Sequence, residues 1–355
     1  MFFLEIFTTY IIPMIYSSLV SLISVLLVLF IFRIKDSNIR ILFFFLPLIK
    51  PFIIIIEKID INSQYFKSNA STFGLRLPDP NNIIKIITNI TNLEKGPLIL
   101  SNMNYLIFSL IIIGILVILI IRWIFLYLFY KNLAYEDKVG RKDAPDIYTI
   151  IDNFIKKINI KAPDVSLTYK NYFSPFVIGI KRSILVLSPN LLEKLNTNEK
   201  ETLIQHELSH IKRKDNLIGW IAMVLRDFLF LNPFAYIAYD LIKAEQERDS
   251  DKLVVKYSDK PKKEVATNIL NTILKIRSIS ASKSTPQPAQ IFQQPLSLFN
   301  QLRLKNRINS ILRVTTPEIY SRIFPKILMF IFFLVLLVFQ LMFVIKINNY
   351  YIFLR

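Results

Sequence analysis

The chain has 355 residues, room for two domains, and 53% of them are hydrophobic, which is high for a soluble protein. Its net charge of +18 is not arranged as basic segments interleaved with stacking aromatics, so nucleic acid is not an expected partner. The chain has no cysteine, which excludes disulfides and thiolate ligands, so any metal site must use histidine and carboxylate.

Four apolar segments are predicted to span a membrane. Residues 10–32, 105–130 and 324–345 carry almost no charge and reach the roughly 20 residues that cross a hydrocarbon core. Residues 41–56 are shorter and contain two prolines and Lys50, so they fit a kinked span or a re-entrant segment, and we favour a span. Arg122 in the third segment is expected to reach toward the lipid headgroups.

The positions of lysine and arginine predict the orientation of these spans, because cytoplasmic loops are enriched in positive charge. Residues 1–130 form a membrane region with three helices, and its outer loop is assigned to residues 57–104. Residues 131–323 form a cytoplasmic domain, followed in residues 324–355 by a fourth transmembrane helix and a short outer tail. We therefore expect a multi-pass protein of the cell membrane, with its N-terminus and C-terminus outside.

The cytoplasmic domain is predicted to be of the α+β class, mostly helical with a small sheet. An amphipathic helix is expected over residues 146–160, with short strands at 165–169 and 184–187. Between the strands, residues 173–180 suggest an extended hairpin arm with a glycine bend. Asn198 is the expected N-cap of a helix that runs to about Arg213.

The two histidines of the chain, His206 and His210, lie on this helix with Glu207 directly after the first. Residues four apart share one face of a helix, so both imidazoles can reach one metal ion. Glu207 follows on the flank, where it can take a proton from a water molecule at the metal. This HExxH pattern is typical of zinc hydrolases.

A catalytic zinc ion normally has three protein ligands, so an acidic residue must supply the third. Glu247, in the segment Ala244-Glu-Gln-Glu-Arg-Asp-Ser-Asp251, is the candidate. Asp251 is one helical turn further on the same face and can accept the spare N–H of a ligand histidine. The alternative for this segment is a solvated acidic helix face.

The apolar residues 217–242 lie between the two parts of this proposed site. Charged residues and a proline interrupt them, and a membrane crossing here would separate Glu247 from the histidines. We therefore expect an interfacial or buried helix pair that docks the catalytic unit on the inner leaflet.

Three segments resemble the BlaR/MecR-type integral membrane zinc metallopeptidases, the antirepressor and signal-transducer enzymes of bacteria. They are His206-Glu-Leu-Ser-His-Ile-Lys-Arg-Lys-Asp215, Leu231-Asn-Pro-Phe234 and Glu247-Arg-Asp-Ser-Asp251. Residues 174–187 are also similar to the family's segment before the zinc helix. The resemblance implies a gluzincin-like peptidase domain in which His206, His210 and Glu247 hold one zinc ion and Glu207 is the general base.

The activity implied is hydrolysis of peptide bonds in a cytoplasmic or membrane-proximal protein, and a transcriptional repressor is one class of substrate. The strand of Ile184, Leu185, Val186 and Leu187 is expected to line the cleft and bind an extended substrate by β-addition. Arg307 is a candidate donor to the oxyanion, with a surface or lipid-headgroup charge as the alternative. The expected partners are a protein substrate and the lipid bilayer, and a homo-oligomer is left open.

One departure from the resemblance concerns signalling. The antibiotic sensors of that family carry a large extracellular ligand-binding domain after the last span, whereas this chain ends at Arg355, so we expect any signal to come through the outer loop or a partner protein. Two alternatives are a Ste24/HtpX-like membrane quality-control protease, which shares the HExxH and Glu-x-x-x-Asp patterns, and a non-catalytic signalling scaffold. The intact Glu207 favours an enzyme.

Overall fold

Helices make up most of the chain that the structure describes, with one small sheet among them. The computed structural model describes residues 7, 11–58, 98–168, 174–179, 182–281, 297–313 and 331–336. In chain order the elements are α1 (Ile12–Ile31), α2 (Ser37–Phe44), α3 (Leu46–Lys58), α4 (Leu98–Glu136), β1 (Lys138–Val139), α5 (Pro145–Ile158), β2 (Asp164–Leu167), β3 (Phe176–Ile178), β4 (Ile184–Leu187), α6 (Pro189–Leu192), α7 (Thr197–Arg213), α8 (Asp215–Phe228), α9 (Pro233–Tyr257), α10 (Lys262–Ala281) and α11 (Ser297–Leu312). A mostly helical fold with a small sheet is thus confirmed.

Two helices among the described residues are long and apolar enough to cross a membrane. They are Ile12–Ile31 and the stretch Ile113–Asn132 of α4, and they coincide with the first and third predicted spans. The α4 stretch has no side chains buried inside the protein, so its apolar surface is free for lipid. Of the predicted fourth span, residues 331–336 are described and helical, and the rest lies outside the described residues, as do residues 59–97 of the predicted outer loop.

The second predicted span, residues 41–56, is divided between two helices. The chain forms α2, breaks at Phe45 and continues as α3. Pro47 lies in the first turn of α3, where its missing N–H costs nothing, so it favours a new helix at this point. The Ser18 hydroxyl of α1 donates to the Pro47 carbonyl at 2.6 Å, which ties α3 to α1.

Helix α9 is the centre of the packing, because it contacts the apolar helices on one side and the HExxH helix α7 on the other. Buried residues of α1, α2, α3, α8 and α9 form one hydrophobic core. Helices α8 and α9 make the helix pair expected for residues 217–242. The chain turns back between them, and Asn232 caps α9 by accepting a hydrogen bond from the Phe234 N–H at 3.1 Å.

Arg122, for which the sequence predicts a reach toward the lipid headgroups, pairs with a carboxylate of another helix. Its guanidinium donates to Asp227 of α8, and the Trp123 indole N–H donates to the same carboxylate at 2.9 Å. Arg226 holds the other oxygen of Asp227 at 2.6 Å. This buried carboxylate therefore joins the long apolar helix α4 to α8.

The sheet has the strand order β1-β2-β4-β3. The β4 strand pairs in parallel with β2 and antiparallel with β3, so both of its edges are used. The prediction that Ile184, Leu185, Val186 and Leu187 form a substrate edge is therefore wrong. All four are buried, and the edge strands are β1 and β3. The predicted glycine bend is confirmed, since Gly179 has a φ of +94°, which favours glycine.

Helix α7 begins two residues before the predicted start. Asn196, not Asn198, is the N-cap, and its side chain accepts the Glu199 N–H at 2.8 Å. The Glu199 carboxylate in turn accepts the Asn196 N–H at 3.0 Å, which completes a capping box. The helix packs against the sheet and α5 through Ile204 and Leu208, so its opposite face carries the histidines.

Candidate metal centre

The metal-ligand candidates come from two helices that cross in contact. Helix α7 contributes His206 and His210, whose rings meet edge to face with centroids 4.8 Å apart. Glu247 lies on α9, and its carboxylate faces both rings. Candidate ligand atoms of these three residues all lie within 4.8 Å of one another.

The distances between these atoms are close to those around a zinc ion, with each histidine nearest a different oxygen of Glu247. The two histidine Nε2 atoms are 3.2 Å apart, His206 Nε2 is 3.4 Å from Glu247 Oε2, and His210 Nε2 is 3.6 Å from Glu247 Oε1. A tetrahedral zinc ion with bonds of about 2.0–2.1 Å holds its ligand atoms about 3.3 Å apart. A neutral-imidazole pair and one carboxylate are also a donor set that zinc accepts.

The other nitrogens of the two rings explain why a cation is favoured here. His206 Nδ1 lies 3.0 Å from Asp251 Oδ1, and His210 Nδ1 lies 2.8 Å from Asp215 Oδ2. Carboxylates only accept, so the ring protons belong on Nδ1, and the Nε2 lone pairs then face each other. Without a positive charge between them that arrangement is repulsive.

Asp251 lies beside His206, as predicted from the sequence, while Asp215 was missed as a partner of His210. Asp215 begins α8 directly after Lys214, whose left-handed backbone (φ 57°) turns the chain back toward His210. The Ser250 hydroxyl lies 3.1 Å from the same His210 nitrogen. An acid five residues after the second histidine was the available signal, since it can reach back around a helix end.

Arg307 of α11 lies inside this centre, so the alternative of a surface or headgroup charge is wrong. Its Nε and Nη2 atoms donate to the two oxygens of Asp251, each at 2.8 Å, and Nη1 lies 2.9 Å from Glu247 Oε2. Burial raises the pKa of Glu247, but Arg307 and the histidines outweigh it and hold that pKa well below its usual range. Glu247 therefore stays ionised, as a ligand must.

Burial and neighbouring acids have opposite effects on the titrating groups around the centre. Burial lowers the pKa of His206, but Asp251 and Glu247 together raise it to about 10, so a positive charge is strongly favoured at this ring. Burial raises the pKa of Glu207 despite the nearby histidines and Arg307. A carboxylate of raised pKa accepts protons more readily than a solvated one.

A cavity of about 1000 Å³ opens onto the centre. Glu207, the histidines and Glu247 lie on its wall together with β3, α8 and residues 123–131 of α4. The Asn216 amide of α8 donates to the Val177 carbonyl of β3 at 2.9 Å, on the edge that β4 does not use. The edge strand therefore runs beside the candidate ligands.

An HExxH helix with a glutamate from a second helix defines the class of the metallopeptidases. The comparison with known families is specific: the family described as BlaR1 peptidase M56 matches residues 12–309, and the chain belongs to that family.

Individual relatives are more distant. The chain is 27% identical over 161 residues to the "Methicillin resistance mecR1 protein" of Staphylococcus aureus, a match covering 44% of this chain and 26% of that protein. It is 29% identical over 119 residues to a "Protease HtpX homolog" of Pyrococcus abyssi, covering 33% of this chain and 41% of that protein. It is 32% identical over 89 residues to a "Protease HtpX homolog" of Thermococcus kodakarensis, a match covering 24% of this chain and 31% of that protein. The chain thus spans less than half of each relative's length.

Proposed function

We propose that this protein is a membrane-embedded zinc endopeptidase, with His206, His210 and Glu247 as ligands and Glu207 as general base. The observation that carries the proposal is the convergence of the three donor groups: the two Nε2 atoms are 3.2 Å apart, and each lies within 3.6 Å of an oxygen of the Glu247 carboxylate. A zinc ion bound there would supply Lewis acidity to the scissile carbonyl and to the attacking water.

The chain's own residues provide the remaining chemistry. Glu207, buried and next to a ligand histidine, takes the proton of the attacking water and passes it to the leaving amine. Asp251 and Asp215 hold the two imidazoles by their Nδ1 atoms and so keep Nε2 directed at one point. Arg307 is a candidate donor to the oxyanion, through N–H groups of Nη1 and Nη2 that the two carboxylates leave unengaged.

The substrate-binding edge is β3 rather than β4. The Ser183 and Leu187 carbonyls accept from β2 and the residue after it, so the alternate residues Ile184 and Val186 direct their N–H and C=O groups at β3. Their register partners are Ile178 and Phe176, so the N–H and C=O of Val177, between them, point away from β4. An extended substrate adds at this edge and takes the place of the Asn216 amide on the Val177 carbonyl. Strand addition forms hydrogen bonds to the substrate backbone only. Selectivity for particular substrate side chains therefore has to come from the rest of the cavity.

The positive-inside pattern supports a cytoplasmic position for the catalytic unit, with both termini outside the cell membrane. The substrate is then a cytoplasmic or membrane-proximal protein. Membership of the BlaR1 family and the match to a methicillin-resistance protein favour a regulatory repressor as that substrate and a role in signal transduction. A protein quality-control role is the second candidate, favoured by the matches to proteins named as HtpX proteases.

The test uses the full chain in detergent, loaded with zinc, and a quenched fluorescent peptide library. Glu207→Gln should keep its zinc and lose cleavage by at least about 100-fold, the range of a general base. Glu201→Gln is the matched control. Glu201 is on the same helix, but its carboxylate pairs with Lys260, at 2.6 Å, and does not face the histidines. Equal cleavage by wild type and Glu207→Gln would contradict the proposal. Zinc retention without cleavage in the wild type would favour a scaffold.

A further inference from the structure

Lys243 lies on the cavity wall one helical turn before Glu247 on α9. Residues four apart share a helix face, so the lysine and the candidate ligand point into the same space. The side chain is half-buried, and none of the described carboxylates forms an ion pair with its ammonium. A cation in this position has no structural counter-charge within the described chain.

The fold makes room for this ammonium on α8. A Cβ built on Gly219 would lie 2.6 Å from Lys243 Nζ, so no larger residue leaves the ammonium where it is. Glycine weakens a helix interior relative to alanine, so its presence here needs a reason. Asn216, one turn earlier on α8, contacts the Val177 carbonyl of β3. The ammonium therefore lies beside the edge proposed to bind substrate.

The charges around the cavity point to the ligand. Away from the metal centre, the charged residues that line it within the described chain are all basic, namely Lys131, Arg182, Arg226 and Lys243. Arg226 shares the Asp227 carboxylate with Arg122, at 2.6 Å from its own Nη2, and lies over the Tyr239 ring. The acidic lining residues, Glu207 and Glu247, belong to the metal centre. The remaining positive charge favours an anionic ligand.

We propose that Lys243 binds a carboxylate of the substrate, so that the cleft selects peptides with an acidic group near the scissile bond. The inference rests on the proposed peptidase function and names a specificity residue for it. An aspartate or glutamate side chain and a free C-terminal carboxylate present the same chemistry to the ammonium. A charge-assisted hydrogen bond in a half-buried site is strong enough to separate such substrates from neutral ones.

Binding is measured separately from cleavage, in the full-length zinc-loaded Glu207→Gln protein, with fluorescein-labelled decapeptides in which one glutamate or glutamine is moved along the sequence. Each peptide is made with a free and with an amidated C-terminus. We expect glutamate to bind about tenfold more tightly than glutamine at one position, whichever C-terminus is present. If only the free C-terminus strengthens binding, the ligand is the terminal carboxylate.

Three further variants in the same background assign the preference. Lys243→Gln should bind glutamate and glutamine peptides within twofold of each other, and Lys243→Arg should restore the preference. Gly219→Ala keeps the charge but displaces the ammonium, so the preference should fall without loss of thermal stability. An equal affinity for acidic and neutral peptides before mutation, or an unchanged preference in Lys243→Gln, overturns the inference.

Cleavage by the protein with Glu207 intact is followed on the same peptides. An acidic preference in binding with no cleavage would contradict the peptidase proposal and leave the role of Lys243 standing. Cleavage without any acidic preference would support the peptidase proposal and contradict the role of Lys243.

Discussion

Arg307 and Asp251, 56 residues apart in sequence, are joined by two hydrogen bonds of 2.8 Å from Nε and Nη2 to the two carboxylate oxygens. Through Nη1 the same guanidinium reaches Glu247. Helix α11 thereby supplies the positive charge that allows two acids of α9 to lie beside the histidines. A bound zinc ion would stabilise the negative charge of these acids in the same way as Arg307 does.

Replacing Arg307 should therefore reduce the stability of the protein more in the absence of metal than in its presence. In Arg307→Gln, Glu247 and Asp251 lose their cation, and breaking such a buried pair costs about 3–5 kcal/mol. Zinc restores part of the lost positive charge. We expect thermal unfolding to show a larger loss of stability after chelation than in the zinc-loaded protein. An equal loss under both conditions would mean that Arg307 acts by packing alone.

Asp251→Asn should weaken zinc binding about 10–100-fold, because Asp251 orients His206 and raises its basicity as a ligand. The matched control is Asp249→Asn on the same helix, since Asp249 pairs with Arg213 instead of with a ligand histidine. Competition with a zinc-binding dye measures both affinities. Similar affinities for the two variants would contradict the orienting role of Asp251.

The capping box predicts different effects for two nearby asparagines. Asn196→Ala removes the side chain that accepts the Glu199 N–H and should lower the free energy of unfolding by about 1 kcal/mol. Asn198→Ala removes an exposed contact of its side chain with Lys260 and should cost less. Chemical denaturation of both proteins measures the two free energies of unfolding. A larger loss for Asn198→Ala would indicate that Asn198, the residue predicted from the sequence, is the N-cap.

A proline at the edge strand tests the substrate path. Val177→Pro removes an N–H that faces away from β4, so the sheet should persist while an added substrate strand loses one hydrogen bond. We expect KM to rise about 2–10-fold with kcat little changed, which is the effect of one such bond. Ile178→Pro is the contrasting variant, because it faces β4 and should disrupt the sheet by circular dichroism.

Local patterns were sufficient to pick out the candidate ligands that the structure brings together. His206, Glu207 and His210 follow from the period of one helix, and the need for a third ligand pointed to Glu247. The glycine bend after β3 was also local, because it depends on the conformational freedom of one residue.

Long-range contacts account for what the sequence did not reveal. The position of β4 between β2 and β3 depends on pairing across the sheet, and a four-residue apolar strand looks alike at an edge and in the centre. Arg307 reaches the centre only because α11 packs on α9. Asp227 was unrecognised as the partner of Arg122 for the same reason, since 105 residues separate them.

Zinc content per chain is the most direct test of a shared site for two imidazoles and one carboxylate. The purified full chain, dialysed against dilute zinc and analysed by mass spectrometry for metals, should carry one zinc ion. Glu247→Gln should carry almost none under the same conditions, while Glu201→Gln should match the wild type. A wild type that binds no zinc, or a Glu247→Gln protein that binds it with unchanged affinity, would contradict the account.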